Sequence, residues 1–314
     1  NRPFEDSLRA LGFTIPAWTR SNYQETIVSL PSIFNLGHVD TFLADGANED
    51  DDTLPLYLMQ HNRAGRFARA RGYRYLFFPS PWWRGTQTNA EADEVFHGWR
   101  GWHPGSLLAR TELRRVIWRQ TALRWLVPGN AAGDPAHIFA TFEGLADVAA
   151  RPELTFTVAH FLVPHLPYVL DAGCRRIDGG QPADDESERA AYVAQLTCVN
   201  HLLLGLVREL MDRSEVTPVV LLQGDHGTAF LNPRDRPPIT RAHLVERSGA
   251  FGAYLLPGGG DRLMRDSVSA VNVLRHVFNH YLGAELEPLP NDFYYADRLR
   301  AFDFTRYTTA DLAP

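Results

Sequence analysis

Short apolar runs closed by turn residues alternate along the chain with longer amphipathic stretches. The runs Gly12–Ile15, Tyr73–Phe78, Leu154–His160, Thr217–Gln223 and Gly252–Leu256 predict strands. Leu154–His160 and Val219–Leu222 are rich in β-branched and large apolar residues, the pattern of central strands buried on both faces. Between them, Tyr192, Val193, Leu196, Val199, Leu203, Leu206, Val207 and Leu210 recur at helical spacing and predict one long helix over Glu188–Asp212 with a single apolar stripe. Further helices are predicted over Ser269–Tyr281 and over a basic, Trp-containing stretch, Ser106–Leu126. Strands that alternate with helices point to an α/β fold, a mainly parallel sheet covered on both faces. Asp45–Asp52 is an acidic loop, and Gly173–Ser187 is a polar, Gly/Pro/Asp-rich loop of the kind found at substrate entrances. No repeat or strong linker divides the chain, so residues 1–314 read as one domain.

Composition narrows this picture. Hydrophobic residues make up 45% of the chain, enough for a large core. A formal charge of −6 argues against a nucleic-acid partner, because phosphate backbones recruit clustered Lys and Arg. Cys174 and Cys198 have neither CxxC spacing nor neighbouring histidines, which excludes a thiolate zinc site. Whether they form a disulfide stays open at this point. No apolar run approaches the roughly 18–20 residues that span a bilayer.

Three segments carry chemistry. In Leu221-Leu222-Gln223-Gly224-Asp225-His226-Gly227 a strand runs straight into Asp-His between glycines. Ligands of open α/β sheets bind beyond the carboxyl ends of strands. A carboxylate beside an imidazole suits zinc or manganese, and the alternative is an ordinary turn with a solvent-facing His. In Ala159-His160-Phe161-Leu162-Val163-Pro164-His165-Leu166-Pro167, two histidines stand at and beyond another strand end. Either could bind an anionic oxygen, ligate metal or protonate a leaving group, although His160 also reads as a core histidine. In Ser21-Asn22-Tyr23-Gln24-Glu25-Thr26-Ile27-Val28-Ser29-Leu30-Pro31, the segment turns helical near Thr26. A hydroxyl there could meet a phosphate at a helix N-terminus, or could be a plain capping residue.

Taken together and in this order, the segments resemble the alkaline-phosphatase/sulfatase superfamily, above all its bacterial sulfatase-like members related to phosphoethanolamine transferases and lipoteichoic acid synthase. The resemblance implies a three-layer α/β/α sandwich whose first strand is missing from this sequence. It implies Thr26 as a nucleophile that is transiently phosphorylated and also touches the metal, and Asp225 and His226 as ligands of zinc or manganese. His165 is implied as a catalytic group, with His160 and Asn22 as substrate contacts. A further acidic ligand is expected upstream of residue 1; Asp45–Asp52 is a weak substitute, and His243 a candidate extra ligand. The implied substrate is a phosphate- or sulfate-bearing lipid or glycan of the cell envelope. The implied location is the periplasmic or extracellular face of a membrane, with anchoring spans upstream of this sequence. Ser29-Leu30-Pro31-Ser32-Ile33 invites comparison with the formylglycine sulfatase signature, but Ile33 stands where that signature has Arg. A catalytically silent binding domain and a sulfuric ester hydrolase are the alternative readings. Trp82, Trp83, Trp99 and Trp102 form a dense aromatic group, suited either to a lipid-linked substrate or to the core beneath an insertion.

Overall fold

The computed structural model describes residues 1–43, 53–96, 135–177, 182–232, 237–264, 266–296 and 302–312. The helices, in chain order, are α1 (Arg2–Ala10), α2 (Thr26–Asn35), α3 (Thr53–Gln60), α4 (Arg63–Ala70), α5 (Arg84–Gln87), α6 (Pro135–Val148), α7 (Asp185–Arg213), α8 (Arg241–Ser248) and α9 (Ala270–Leu282). The strands are β1 (Trp18–Arg20), β2 (Arg74–Phe78), β3 (Glu94–Val95), β4 (Thr155–Ala159), β5 (Val220–Gln223), β6 (Gly252–Leu255), β7 (Ser267–Ser269), β8 (Phe293–Tyr295) and β9 (Thr305–Tyr307). The expected helix Ser106–Leu126, the acidic loop Asp45–Asp52, Trp99 and Trp102 lie outside the described residues.

Strand alternation builds three layers. Val220 and Leu222 of β5 pack with Phe4 and Leu8 of α1 and Val207 of α7, whereas Leu221 packs on the other face with Phe278 of α9. In the same way Phe78 of β2 meets Phe142 of α6, while Tyr75 and Phe77 meet Leu30 of α2. This period of two between opposite faces is what a sheet covered by helices on both sides requires. β2 pairs in parallel with both β3 and β4, β1 pairs in parallel with β7, and β6 runs antiparallel to β5. The architecture is therefore the expected α/β/α sandwich with a mainly parallel sheet.

Two expectations need correction. Gly12–Ile15 forms one antiparallel bridge, Thr14 to Tyr254, instead of a strand. Gly12 turns the backbone at φ 90° and Pro16 offers no N–H, so extended pairing cannot grow in either direction. β4 and β5 are also not fully buried: apart from Val158 their residues are half-buried. Among the described residues no backbone ladder joins β4 to β5, so each has an open edge, although Phe156 and Leu221 share one apolar cluster.

α7 begins with a reciprocal cap, in which the Asp184 side chain accepts from the Ser187 N–H at 2.8 Å and Ser187 Oγ accepts from the Asp184 N–H at 3.1 Å. Asp185, Glu186 and Glu188 in its first turn face the positive end of the helix dipole. The helix is long and apolar enough to cross a membrane by length and composition, yet its stripe packs on α6 and α1 and delivers the chain to β5. Cys174 and Cys198 form a disulfide that ties the loop beyond His165 to this helix.

Candidate active site

Thr26 is the first residue of α2, behind Glu25, whose extended backbone ends the preceding loop. β5 ends at Gln223, and Gly224 carries the chain into Asp225 and His226. The two segments converge. Thr26 Oγ1 lies 3.1 Å from His226 Nε2, which in turn lies 3.6 Å from Asp225 Oδ2.

The imidazole of His226 is oriented from behind. Its Nδ1 lies 2.9 Å from the Gly227 carbonyl, an acceptor, and 3.3 Å from Arg247 Nη1. Donation of Nδ1–H to the closer carbonyl leaves a lone pair on Nε2, aimed at Thr26. The Asp225 carboxylate uses Oδ1 to accept from the His226 N–H at 3.1 Å, while Oδ2 is buried without a hydrogen-bond partner. Burial pushes this carboxyl up, but the His226 and His160 rings and the Thr26 hydroxyl pull it down further, so Asp225 is held below the usual carboxylate range.

Ser29 and Gly227, together with Arg247 and Glu246, which the sequence did not single out, hold this arrangement. Ser29 is one turn along α2 from Thr26 and donates to the Asp225 carbonyl at 2.6 Å. Ser29 is 1% exposed, and its hydroxyl also lies 3.3 Å from Ser21 Oγ. Arg247 of α8 donates to the Gly227 carbonyl at 2.8 Å and to the Gln24 carbonyl, with Glu25 Oε1 at 3.6 Å. Its planar fork thus joins the approach to Thr26 with the Asp-His turn. Glu246 accepts from Thr228 Oγ1, from the Phe230 N–H and from the Leu231 N–H at 2.7, 2.7 and 2.9 Å, fixing the loop beyond His226. Gly227 is required here: a Cβ would stand 1.9 Å from the Glu246 carbonyl oxygen.

His160 follows β4, and Asp225, His226 and His165 are the charged or ionisable neighbours that act on it. Burial lowers its pKa below that of an ordinary histidine. His165 stands at the rim: its Nδ1–H donates to the Leu166 carbonyl at 2.8 Å, and its ring centroid is 6.4 Å from that of Trp82. Gln195 of α7 holds the same turn by donating to the His165 carbonyl at 3.1 Å. Asn22 is not brought to the cluster. It is buried, donates to the Asp292 carbonyl at 2.9 Å and accepts from the Val271 N–H at 3.0 Å, which ties the loop before α2 to α9. His243 is buried near the Tyr295 ring and does not join Asp225 and His226; among the described residues no group of three or more His, Cys, Asp or Glu side chains is placed to hold a metal.

Neither protein-family models nor curated proteins match the sequence. Solved structures do match. The C-terminal periplasmic domain of EcEptC from Escherichia coli, solved in complex with Zn, aligns with a TM-score of 0.59 at 12% identity over 96% of this chain and 84% of its own. The lipoteichoic acid synthase LtaP from Listeria monocytogenes aligns with a TM-score of 0.55 at 12% identity over 98% of this chain and 81% of its own. The fold is that of the alkaline-phosphatase/sulfatase superfamily. The phosphonate monoester hydrolase SpPMH from Silicibacter pomeroyi, at 14% identity and a TM-score of 0.53 over 94% of this chain and 71% of its own, matches as well. Within this superfamily fold, the Thr26–Asp225–His226 cluster stands where β5 ends, the usual place for ligands of an open α/β sheet.

Proposed function

We propose that residues 1–314 form one catalytic domain of a metal-dependent phosphoryl or phospho-substituent transferase, or a phosphoesterase, with Thr26 as nucleophile. The observation that carries this reading is the 3.1 Å approach of Thr26 Oγ1 to His226 Nε2 beside the buried, unpartnered Oδ2 of Asp225. A buried carboxylate oxygen without a partner is costly, and a cation is one way to satisfy it. Asp225 Oδ2, His226 Nε2 and Thr26 Oγ1 form a mixed oxygen and nitrogen set suited to zinc, with manganese second. A bound divalent cation would promote ionisation of the hydroxyl and neutralise charge on phosphoryl oxygens. The resemblance adds one acidic ligand to this set.

Thr26 Oγ1 passes its proton to solvent water as it bonds to phosphorus, and the ester oxygen leaves with the bonding pair; a His165 imidazolium at the rim supplies the leaving oxygen with its Nε2 proton and is reprotonated from water. An acceptor hydroxyl or water then displaces Thr26 from phosphorus, giving up its own proton as the Thr26 hydroxyl is restored. The helix N-terminus at Thr26 stabilises the negative charge on the phosphoryl oxygens.

The substrate in this reading is a phosphate-bearing lipid or glycan of the cell envelope. The location is the periplasmic or extracellular face of a membrane, anchored by upstream spans. The periplasmic origin of the EcEptC domain and the Cys174–Cys198 disulfide support it, since disulfides persist in oxidising compartments. Turnover of an aryl phosphodiester in the presence of zinc or manganese tests the mechanism. Thr26→Ala abolishes it in this account, and undiminished turnover by that variant removes Thr26 as nucleophile.

A further inference from the structure

Ser80, two residues beyond β2, is 2% exposed and stands with its Oγ 2.6 Å from His160 Nδ1. Its other contact is with Thr86 in the short helix α5, to whose Oγ1 it donates at 3.0 Å. Thr86 in turn donates to a backbone carbonyl, that of Trp83 at 2.9 Å or that of Ser80 at 3.4 Å. With the Ser80–Thr86 and Ser80–His160 contacts both hydrogen-bonded, proton counting gives the rest. A hydroxyl has one hydrogen. The Thr86 hydrogen goes to a carbonyl in either arrangement, which leaves Thr86 Oγ1 as the acceptor for the Ser80 hydrogen. Ser80 Oγ therefore meets His160 with a lone pair only, and Nδ1 must supply the hydrogen of that bond. A neutral imidazole has a single N–H, so Nε2 is bare. Burial lowers the His160 pKa, which favours the single-N–H form that this count describes.

We propose that Ser80 and Thr86 are positioning residues that lock His160 in its Nδ1–H form, so that His160 enters the site as a hydrogen-bond and proton acceptor. This inference rests on the transferase or phosphoesterase reading for its catalytic meaning, but the tautomer itself does not. A bare Nε2 repels a phosphoryl oxygen and welcomes an O–H. His160 is thereby matched to the hydroxyl of the incoming acceptor, an alcohol or water, at the step that releases phospho-Thr26. That refines the expectation of His160 as a general substrate contact.

The test is ¹⁵N NMR of histidine-labelled protein, full chain, at neutral pH, with His160 assigned by His160→Gln. The expected spectrum has a pyrrole-type Nδ1 and a pyridine-type Nε2. Thr86→Val keeps the shape of residue 86 but removes the acceptor of the Ser80 hydrogen. Ser80 then turns that hydrogen to His160 Nδ1, and the two nitrogen signatures exchange. A role in packing alone does not exchange them. Should Thr86→Val not fold, Ser80→Ala serves instead, with a mixture of tautomers as the expected result. A pyridine-type Nδ1 in the unmodified protein, or an unchanged pattern in these variants, overturns the proposal whatever Thr26 does.

The kinetic arm separates the two readings. Thr86→Val should keep the first-turnover burst of alcohol and slow the steady state by about 10²-fold, the lower range for a lost general base. Exchange of the tautomer with steady-state turnover unchanged overturns the assignment of Nε2 to the acceptor. Loss of the burst in Thr26→Ala, by contrast, bears only on the nucleophile.

Discussion

The hydroxyl of Thr26 and Nε2 of His226 lie 3.1 Å apart although 200 positions separate them in the chain. α2 brings the first at its N-terminal residue and β5 brings the second just past its end, so the contact depends on how one helix layer is set against the sheet. Ser29 and Arg247 maintain that setting, one through the Asp225 carbonyl and the other through the Gly227 and Gln24 carbonyls.

Asp225→Asn keeps the shape of the carboxylate but removes its charge. Loss of a group that only hydrogen-bonds to a metal ligand weakens metal binding by about 10–100-fold. The direct ligand should exceed this, and competition with a chromophoric zinc chelator measures it. Affinity within a factor of about 3 of the unmodified protein would remove Asp225 from the proposed metal site.

Arg247→Ala should destabilise the protein by about 3 kcal/mol, since it leaves the Gly227 and Gln24 carbonyls without their charged donor. Arg247→Lys restores charge without the planar fork and should recover only part of the loss. Urea unfolding monitored by fluorescence reads both variants.

Much of this architecture is legible in the sequence, and the limits have physical causes. The stripe from Tyr192 to Leu210 marks α7, and the apolar runs that end at Gln223 and Ala159 mark β5 and β4 because a covered sheet demands them. Thr26 falls at the start of α2 as its segment suggests. β1 and β7 are three residues each and become strands only by pairing Trp18 with Ser267 across the chain, which no local pattern encodes. Ser80, Thr86 and Arg247 are common residue types whose importance comes from partners 80, 6 and 21 positions distant, such as His160, Ser80 and His226. The sequence likewise leaves Asn22 ambiguous, because a buried amide that binds backbone and one that binds substrate read alike.

Stability should fall in mild acid. Burial holds the His38 and His276 imidazoles below the ordinary histidine range, so the folded state keeps them neutral where the unfolded chain binds protons. The contribution is present above about pH 6.5 and is lost as pH falls from there toward the folded-state values. Urea midpoints at pH 7.5 and 5.5 check the sign, and His38→Phe should reduce the difference.

The Cys174–Cys198 bridge closes a loop of 24 positions that begins just beyond His165. Chain-entropy arguments give about 3 kcal/mol for a loop of this size. The Cys174→Ser/Cys198→Ser double variant should lose an amount of that order in urea unfolding, and a change under about 0.5 kcal/mol would count against the bridge as a stabilising link.

Anomalous diffraction from crystals of the full-length protein grown with zinc would locate the ion relative to Thr26, Asp225 and His226. One strong zinc peak is expected within about 2.0–2.2 Å of Asp225 Oδ2, His226 Nε2 and Thr26 Oγ1 together. A zinc ion bound elsewhere, with Thr26 and the Asp225–His226 pair making no common contact to it, would rule out a shared metal site at these three residues.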